Sequence, residues 1–217
     1  MLKLIITNRR YSSWSLRGWL AARLSGLPFE EEYVDIYAPG WAEQRRTGVF
    51  AEAAGKVPIL IDGEATVWNA LGIIDWLDRK SGGARFWPEW GPGRAFAVSA
   101  AAEMQGGFLA LRQNCPMNCM RHYPGYAIAP EALPDIARVD ELWSTGIARF
   151  GGPWLGGDQW GAADILFAPV ASRLTTYDAQ LSPEANGYRQ RVMTHPDVAD
   201  WLAEAAKETV LKPQYEY

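Results

Sequence analysis

The hydrophobic pattern of this chain changes character at a stretch rich in Gly and Pro, and this change constrains the fold more than any other feature. Residues 87–93 read WPEWGPG, a composition that ends regular secondary structure. Before this stretch, short apolar runs alternate with amphipathic segments, whereas after it apolar residues recur at the three- and four-residue spacing of helices. We therefore predict two domains, residues 1–82 and 93–217, joined by a linker over residues 83–92.

Apolar runs separated by turn residues predict an α/β first domain with the order βαβ–ββα. Residues 31–36 alternate polar and apolar side chains, as a half-buried strand does. The Asp62-Gly63 pair predicts a hairpin, and Asn69 is a suitable N-cap for the helix that follows it. Residues 37–55 look irregular. The predicted strands are 2–6, 31–36, 57–61 and 65–68, and the predicted helices run from Ser13 or Leu16 to Leu24 and from Ala70 to Lys80.

Helical periodicity predicts an all-α second domain. Met104, Phe108 and Leu111 lie on one apolar stripe of a long predicted helix. Residues 162–171 are apolar almost all round, which is typical of a central buried helix. The predicted helices are 94–114, 130–150, 162–171 and 196–207. The expected fold is an α/β domain followed by a helical bundle.

The composition argues against several classes of function. The net charge of −4 comes without a stripe of Lys and Arg, so we expect no nucleic-acid partner. No run approaches the roughly 18 apolar residues of a membrane span. About six apolar residues before Asn8 are too few for a signal-peptide core, and two Cys do not form a disulfide framework. We therefore expect a cytoplasmic protein that does not enter the membrane.

The turn over residues 11–17 (YSSWSLR) is the strongest candidate for a chemical site. It follows a predicted strand and begins a predicted helix, so its hydroxyls lie beside the unpaired N–H groups and the positive dipole end of the helix start. Such a place stabilises an anion and would suit a thiolate. A plain N-cap is the alternative interpretation of these serines. Because the chain has only two His, a mechanism without a His base fits best.

Three separated motifs are similar to those of the cytosolic glutathione transferases. Residues 12–17 (SSWSLR) resemble the serine turn of the serine-type classes, particularly the zeta class. Residues 55–60 (GKVPIL) resemble the family's segment with a cis-proline, and residues 154–170 resemble its capping box and buried helix. The resemblance implies that residues 1–82 form a thioredoxin-like domain that binds glutathione, and that the helical domain completes a pocket for the electrophile.

The resemblance implies a catalytic role for the serine turn. Ser12 is favoured as the donor of a hydrogen bond to the glutathione sulfur, with Ser13 as its close rival and Tyr11 as a third candidate. A hydrogen bond to a charged group contributes about 1.5–3 kcal/mol, which lowers the pKa of a thiol by about 1–2 units. Such a shift produces a large thiolate fraction at neutral pH without a base.

The resemblance also implies which residues hold the two substrates. We expect the Val57–Pro58 peptide bond to be cis, so that the Val57 backbone can pair with the glutathione peptide. Glutathione is expected to contact Ser12, Lys56, Val57, Pro58, Asn69 and Ala70. The electrophile pocket is expected to include Trp14, Met104, Phe108 and Arg112.

Other prominent residues have structural interpretations. Cys115, Cys119 and His122 form a C-x3-C-x2-H pattern without a fourth ligand, so we expect no metal. We expect Arg17 to form an ion pair with the second domain, with a contact to substrate as the alternative, and Asp164 to cap the central helix.

Two positions depart from the family pattern. Asn69-Ala70 stands where the family usually has an acidic residue or Gln followed by Ser, so a hydroxyl for the γ-glutamyl carboxylate is missing. Losing that hydrogen bond weakens carboxylate binding by about 1–2 kcal/mol. Gly161 stands where the family caps its central helix with Ser or Thr, and Gly is a tolerable N-cap that costs a few tenths of a kcal/mol.

The implied function is transfer of the glutathione thiolate to a small electrophile by a homodimeric enzyme. A zeta-like isomerase of the maleylacetoacetate type is the alternative enzyme, because it starts from the same thiolate. A non-catalytic binding protein with the same fold is the alternative from another class, and the missing hydroxyl at Ala70 motivates it.

Overall fold

A four-stranded mixed sheet forms the centre of the first domain in the computed structural model, which describes residues 1–83 and 86–216. The strands are β1 (Leu2–Ile6), β2 (Phe29–Tyr33), β3 (Ile59–Asp62) and β4 (Ala65–Trp68). Their spatial order is β2-β1-β3-β4. The β1–β2 pair is parallel, whereas the β1–β3 and β3–β4 pairs are antiparallel. This sheet confirms the predicted α/β class and the predicted hairpin.

Helices cover both faces of the sheet. One face packs against the long helices of this domain, α1 (Ser13–Ser25) and α4 (Ala70–Lys80). The other face is covered by two short helices, α2 (Trp41–Gln44) and α3 (Gly48–Glu52). The prediction that residues 37–55 are irregular was therefore wrong. The short helices form because Trp41 and Phe50 bury their rings with Ile5 and Ile59 of the sheet.

The predicted position of β2 was also wrong. The strand covers Phe29–Tyr33 rather than residues 31–36, and it lies at the edge of the sheet with most side chains exposed. An exposed edge strand has little need of alternating polarity, so its register follows pairing with β1, in which Leu2 lies opposite Phe29.

The described residues of the second part of the chain form six α-helices. They are α5 (Pro92–Gly106), α6 (Leu109–Asn114), α7 (Leu133–Phe150), α8 (Ala162–Thr176), α9 (Pro183–Met193) and α10 (Pro196–Ala206), with short 3-10 turns at Pro130–Ala132 and Pro213–Tyr215. Helix α8 is buried along most of its length and packs against α5 and α1. It is the predicted central helix, and it continues past the predicted end to Thr176.

The long helix predicted over residues 94–114 is two helices. Phe108 adopts the left-handed region with φ 60°, directly after Gly107, and this ends α5 and redirects the chain into α6. The Arg112 guanidinium covers the break by donating to the carbonyl oxygens of Gly107 (3.1 Å) and Met104. An apolar stripe cannot reveal such a break, because both helices keep burying the same core.

Helix α9 was missed by the sequence prediction. Only three of its residues are buried, Ala185, Tyr188 and Val192, so its apolar stripe is weak. Its start is marked locally by Ser182, whose side chain accepts from the Ala185 N–H, and by Pro183 at the first turn.

The proposed division into residues 1–82 and 93–217 stays a prediction. Residues 84 and 85 of the predicted linker lie outside the described residues, and α5 begins at Pro92, the last residue of the predicted linker.

Candidate active site

A cavity of about 600 Å³ opens where the starts of α1 and α4 and the segment before β3 face α5. Six of the residues predicted to bind substrates line it: Ser12, Trp14, Lys56, Val57, Pro58 and Asn69. Helix α5 contributes Gln105 on the opposite side. A wider open groove of about 800 Å³ adjoins this cavity and shares Ile36 and Ala54 with it. The cavity thus unites sequence motifs that are more than fifty residues apart.

Ser12 is the N-cap of α1 and faces the cavity. Its hydroxyl oxygen accepts from the Ser15 N–H at 3.2 Å, and the hydroxyl donates to Ser15 Oγ at 2.9 Å. Ser15 Oγ also accepts from the Thr7 N–H at 3.1 Å. Because a hydroxyl proton can rotate between acceptors, Ser12 can redirect its donation to an anion in the cavity. It would act there beside the positive end of the α1 dipole.

Ser13 and Tyr11 are engaged elsewhere. Ser13 is 7% exposed, does not line the cavity, and accepts from Arg173 Nη2 of α8 at 3.2 Å. The Tyr11 hydroxyl donates to Glu216 Oε1 at 2.5 Å and accepts from the Lys212 N–H at 3.2 Å. Burial, followed by Glu216, raises the pKa of Tyr11. Both side chains therefore hold the turn in place rather than present a donor to the cavity.

The Val57–Pro58 peptide bond is cis, which confirms the prediction. Pro58 packs closely on α1, since a Cβ placed on Gly18 would lie 2.6 Å from the proline ring. A glycine at this point of α1 is therefore what allows the segment before β3 to lie beside the serine turn.

Asn69 caps α4, as predicted, and does so from an unusual backbone conformation. Its side chain accepts from the Leu71 N–H at 3.1 Å, while its own φ and ψ are 70° and 135°. Positive φ is costly for a residue with a Cβ, and such residues concentrate at ligand sites. Ala70, the next predicted contact, is fully buried and packs in the core.

The predicted electrophile pocket is only partly reproduced. Trp14 lines the cavity, whereas Met104 and Phe108 lie in the core. The break after α5 turns the Phe108 ring toward Phe167, with their centroids 6.2 Å apart. Arg112 is half-buried, and its guanidinium carbon lies 5.0 Å from the centroid of the Trp14 ring.

Gln105 was missed by the sequence reasoning. It lines the cavity, and its buried Oε1 has no hydrogen-bond partner within the described residues. A polar residue beside the apolar stripe of a helix, next to Met104, was the available signal. The sequence alone could not indicate which side of that stripe faces the cavity.

The charge around the cavity favours an anion. None of the described lining residues is Asp or Glu, and Lys56 is a lining cation. Neither Cys115 nor Cys119 is among the described residues that line the cavity, and burial raises the pKa of Cys115 to about 11 and that of Cys119 to about 12. In the described part of the chain, no group of three or more His, Cys, Asp or Glu is arranged to hold a metal ion.

Arg17 connects the two parts of the chain, whereas Asp164 connects elements within the helical part. Among the described residues Arg17 does not form the predicted ion pair; its Nε donates instead to the Leu166 carbonyl oxygen of α8 at 2.8 Å. Asp164 accepts from the Gly161 N–H, the Leu155 N–H and the Tyr188 hydroxyl at 2.9, 2.9 and 2.8 Å, which confirms it as the capping residue of α8.

Comparisons with known proteins found a family match and a relative for part of the chain. Residues 11–80 match the family described as Glutathione S-transferase, N-terminal domain. Over 61 residues the chain is 41% identical to Dichloromethane dehalogenase of Methylorubrum extorquens, a match that covers 28% of this chain and 21% of that protein. The aligned stretch thus spans about a fifth of that relative's length.

Solved structures share the fold of the whole chain. A glutathione transferase homolog from Burkholderia gl BGR1 with bound glutathione is 20% identical with a TM-score of 0.67, covering 94% of this chain and 97% of its own. A glutathione transferase from Methylococcus capsulatus str. Bath is 24% identical with a TM-score of 0.64, covering 95% and 99%. The glutathione transferase URE2P6 from Phanerochaete chrysosporium, in complex with oxidized glutathione, is 16% identical with a TM-score of 0.68, covering 95% and 96%.

These findings confirm the resemblance to the glutathione transferases and the fold class it implied: a thioredoxin-like domain followed by a helical one. Within residues 1–83 and 86–216, no helix is both long and apolar enough to cross a bilayer.

Proposed function

We propose that this protein, whose residues 11–80 match the N-terminal domain of the glutathione S-transferase family, is a cytoplasmic enzyme that attacks a small electrophile with the thiolate of glutathione. The observation that carries the proposal is the meeting of three features in one cavity. These are the Ser12 hydroxyl at the start of α1, the cis Val57–Pro58 segment and the cap of α4 at Asn69.

Ser12 is proposed as the donor to the sulfur. Its hydroxyl oxygen is held by the Ser15 N–H, and its proton can turn toward a thiolate placed over the start of α1. Together with the α1 dipole, this hydrogen bond lowers the thiol pKa by about 1–2 units. The thiolate then attacks the electrophile, and no base of the protein takes part in the bond-forming step.

The peptide of glutathione is proposed to lie along the segment before β3. The Val57 backbone pairs with its cysteinyl unit, and the start of α4 at Asn69 and Ala70 receives the γ-glutamyl carboxylate. Lys56 is the proposed partner of the other carboxylate of glutathione, because it is a cation that lines the same cavity.

Substitution of the two serines tests the assignment. Ser12→Ala is expected to lower turnover with glutathione at least about tenfold, which corresponds to one lost hydrogen bond to a charge. Ser13→Ala is the matched control, because it removes a neighbouring hydroxyl that contacts Arg173 instead of the cavity. Turnover by Ser12→Ala within twofold of the wild type, with the fold intact by circular dichroism, contradicts the proposed role.

A zeta-like isomerase is the second candidate, because the serine turn would supply the same thiolate to an isomerisation. There, glutathione adds to a double bond and leaves after rotation about it. Consumption of glutathione in a transferase assay favours the first candidate, and full recovery of glutathione after turnover of a maleylacetoacetate-type substrate favours the second.

A non-catalytic binding role is motivated by Ala70, which lacks the hydroxyl that the family places there. Calorimetry with glutathione tests this point. An absence of binding at millimolar glutathione overturns both enzymes and favours the non-catalytic role.

A further inference from the structure

The open groove that adjoins the active cavity is large enough to hold a ligand of its own. Its volume is about 800 Å³, within the range of roughly 300–1,000 Å³ that is typical of ligand sites. Ile36 and Ala54 line both spaces, so the two are continuous. Tyr37 and Trp41 add aromatic surface to the groove, and none of its described lining residues belongs to α4.

Two arginines give the groove positive charge. Arg45 and Arg46 follow α2 directly, line the groove and are exposed. Within the described residues neither forms an ion pair with a carboxylate, whereas Arg79, exposed on α4, pairs with Asp75 at 3.1 Å. The described lining of the groove includes no Asp or Glu. Both guanidinium groups are therefore available to an anionic ligand.

Arg45 lies at the junction between the groove and the active cavity. Its Nη2 donates to the Ala54 carbonyl oxygen at 3.4 Å, and a Cβ placed on Gly55 would lie 2.5 Å from its Nε. Gly55 lines the active cavity and has a φ of 67°. Because this glycine lacks a side chain, the Arg45 side chain can lie directly over the backbone that leads to the cis peptide bond. Its charge is thus close to both spaces.

The proposed placement of glutathione directs its glycyl end toward this groove. With the γ-glutamyl carboxylate at the start of α4 and the cysteinyl unit beside Val57, the glycyl unit continues away from α4. The cavity-lining residues that precede Val57 are Ala54, Gly55 and Lys56, and Ala54 also borders the groove. Each further residue of an extended peptide adds about 3.3–3.6 Å, so a chain longer than glutathione enters the groove.

We propose that the groove binds an acidic extension of glutathione, so that the site accepts longer γ-glutamyl-cysteinyl-glycyl peptides whose added residues carry carboxylates. The inference rests on the proposed function, because the thiol and the first three residues occupy the same cavity. Extension converts the glycyl carboxylate into a peptide bond, so Arg45 and Arg46 replace the pairing that Lys56 gives to glutathione itself. Exposed ion pairs are individually weak and are screened by salt, so the preference for acidic residues requires both arginines.

The experiment is calorimetric titration of the wild-type protein with glutathione and with two pentapeptides. These are γ-Glu-Cys-Gly-Glu-Glu and γ-Glu-Cys-Gly-Gln-Gln, which have the same length and differ by two negative charges. We expect the acidic peptide to bind at least about fivefold more tightly than the neutral one at low salt, and this preference shrinks as salt increases. Saturating glutathione is expected to displace the acidic peptide, because both require the active cavity.

Substitution of single arginines tests whether the groove is the source of the preference. Arg46→Gln removes one of the two groove cations and is expected to lower the preference to about twofold. Arg79→Gln is the matched control, because it removes an exposed arginine of the same domain that lies outside the groove lining. The control is expected to keep the full preference.

The outcomes separate this proposal from the proposed function. If glutathione binds but the two peptides bind equally, or both bind more than about tenfold more weakly than glutathione, the acidic extension is overturned and the proposed function stands. Binding of the acidic peptide that persists in saturating glutathione also overturns the extension. If glutathione itself does not bind at millimolar concentration, the proposed function fails and the extension fails with it. The comparison of the two peptides on the wild type decides the matter even where a variant does not fold.

Discussion

Two helices in this protein begin with a side-chain oxygen that accepts backbone N–H groups, but the two caps have different roles. At the start of α1, the Ser12 oxygen accepts one backbone N–H and remains partly exposed in a cavity. At the start of α8, the Asp164 carboxylate is 1% exposed and accepts from two backbone N–H groups and the Tyr188 hydroxyl. The Ser12 hydroxyl can still donate a hydrogen bond to a ligand. The Asp164 carboxylate instead uses its hydrogen bonds to connect α8 with neighbouring segments of the fold.

The comparison shows that capping alone does not identify a functional site. Both helix starts satisfy unpaired N–H groups with a side-chain oxygen, which is the ordinary requirement of any helix. The two caps differ in solvent access. The Ser12 hydroxyl faces a cavity whose described lining residues include no carboxylate, whereas the Asp164 carboxylate is buried. The predictions below test this division, beginning with the largest expected effect.

Removing the carboxylate of α8 is expected to destabilise the fold severely. Asp164→Ala leaves the Leu155 and Gly161 N–H groups and the Tyr188 hydroxyl buried without an acceptor, which is expected to lower the free energy of unfolding by about 3–5 kcal/mol. Urea denaturation followed by circular dichroism measures the loss. Ser12→Ala removes one partly exposed cap and is expected to cost only about 1 kcal/mol. Equal losses of unfolding free energy in the two variants would contradict the distinction between a structural cap at Asp164 and a ligand-facing cap at Ser12.

Asp164 is also expected to make stability depend on pH. Burial raises the pKa of this carboxyl to about 7, against the lowering effect of its hydrogen bonds. Because the unfolded chain releases the proton near pH 4 (about 3.9 for a free Asp), the folded state binds more protons between pH 4 and 7. The contribution of Asp164 is therefore full below pH 4 and is lost as pH rises through about 7, with a slope of at most about 1.4 kcal/mol per pH unit.

Urea unfolding of the wild type and of Asp164→Asn at several pH values between 4 and 8 measures this effect. The difference in stability between the two proteins is expected to change steadily across the window, since Asn does not titrate. A constant difference would show that Asp164 keeps an ordinary pKa in the folded protein.

Restoring the family's hydroxyl at the cap of α8 is expected to be harmful. A Cβ on Gly161 would lie 2.7 Å from the Phe86 carbonyl oxygen, which also accepts from the Ala162 N–H at 2.8 Å. Gly161→Ser is therefore expected to lower the free energy of unfolding by about 1–3 kcal/mol through overpacking. A higher melting temperature would instead show that the backbone at Phe86 shifts and makes room for the added Cβ. Gly161 is thus required by packing, which goes beyond its interpretation as a tolerable cap.

Features that depend only on residues close together along the chain were predictable from the sequence. The strands β1, β3 and β4, the caps at Asn69 and Asp164 and the cis bond before Pro58 were all recognised. The reason is that each is encoded within a few residues by hydrogen-bonding chemistry or by a motif. The errors in β2 and α9 arose where little apolar surface is buried, because there the pattern carries little information. The short helices at Trp41 and Phe50 and the break at Phe108 were missed although these side chains are buried, because their conformation depends on the packing around them.

The sequence by itself determined that an α/β domain precedes a helical one and that a serine turn begins the first helix. The sequence favoured Ser12 with Ser13 as a close rival, but only the tertiary structure showed that Ser13 contacts Arg173, which is 160 residues away. The same holds for the Gln105 Oε1 and the Arg17 Nη1, which are buried and have no hydrogen-bond partner within the described residues. A sequence shows which residues are polar or charged, but whether a buried polar group is satisfied depends on atoms brought close by the fold.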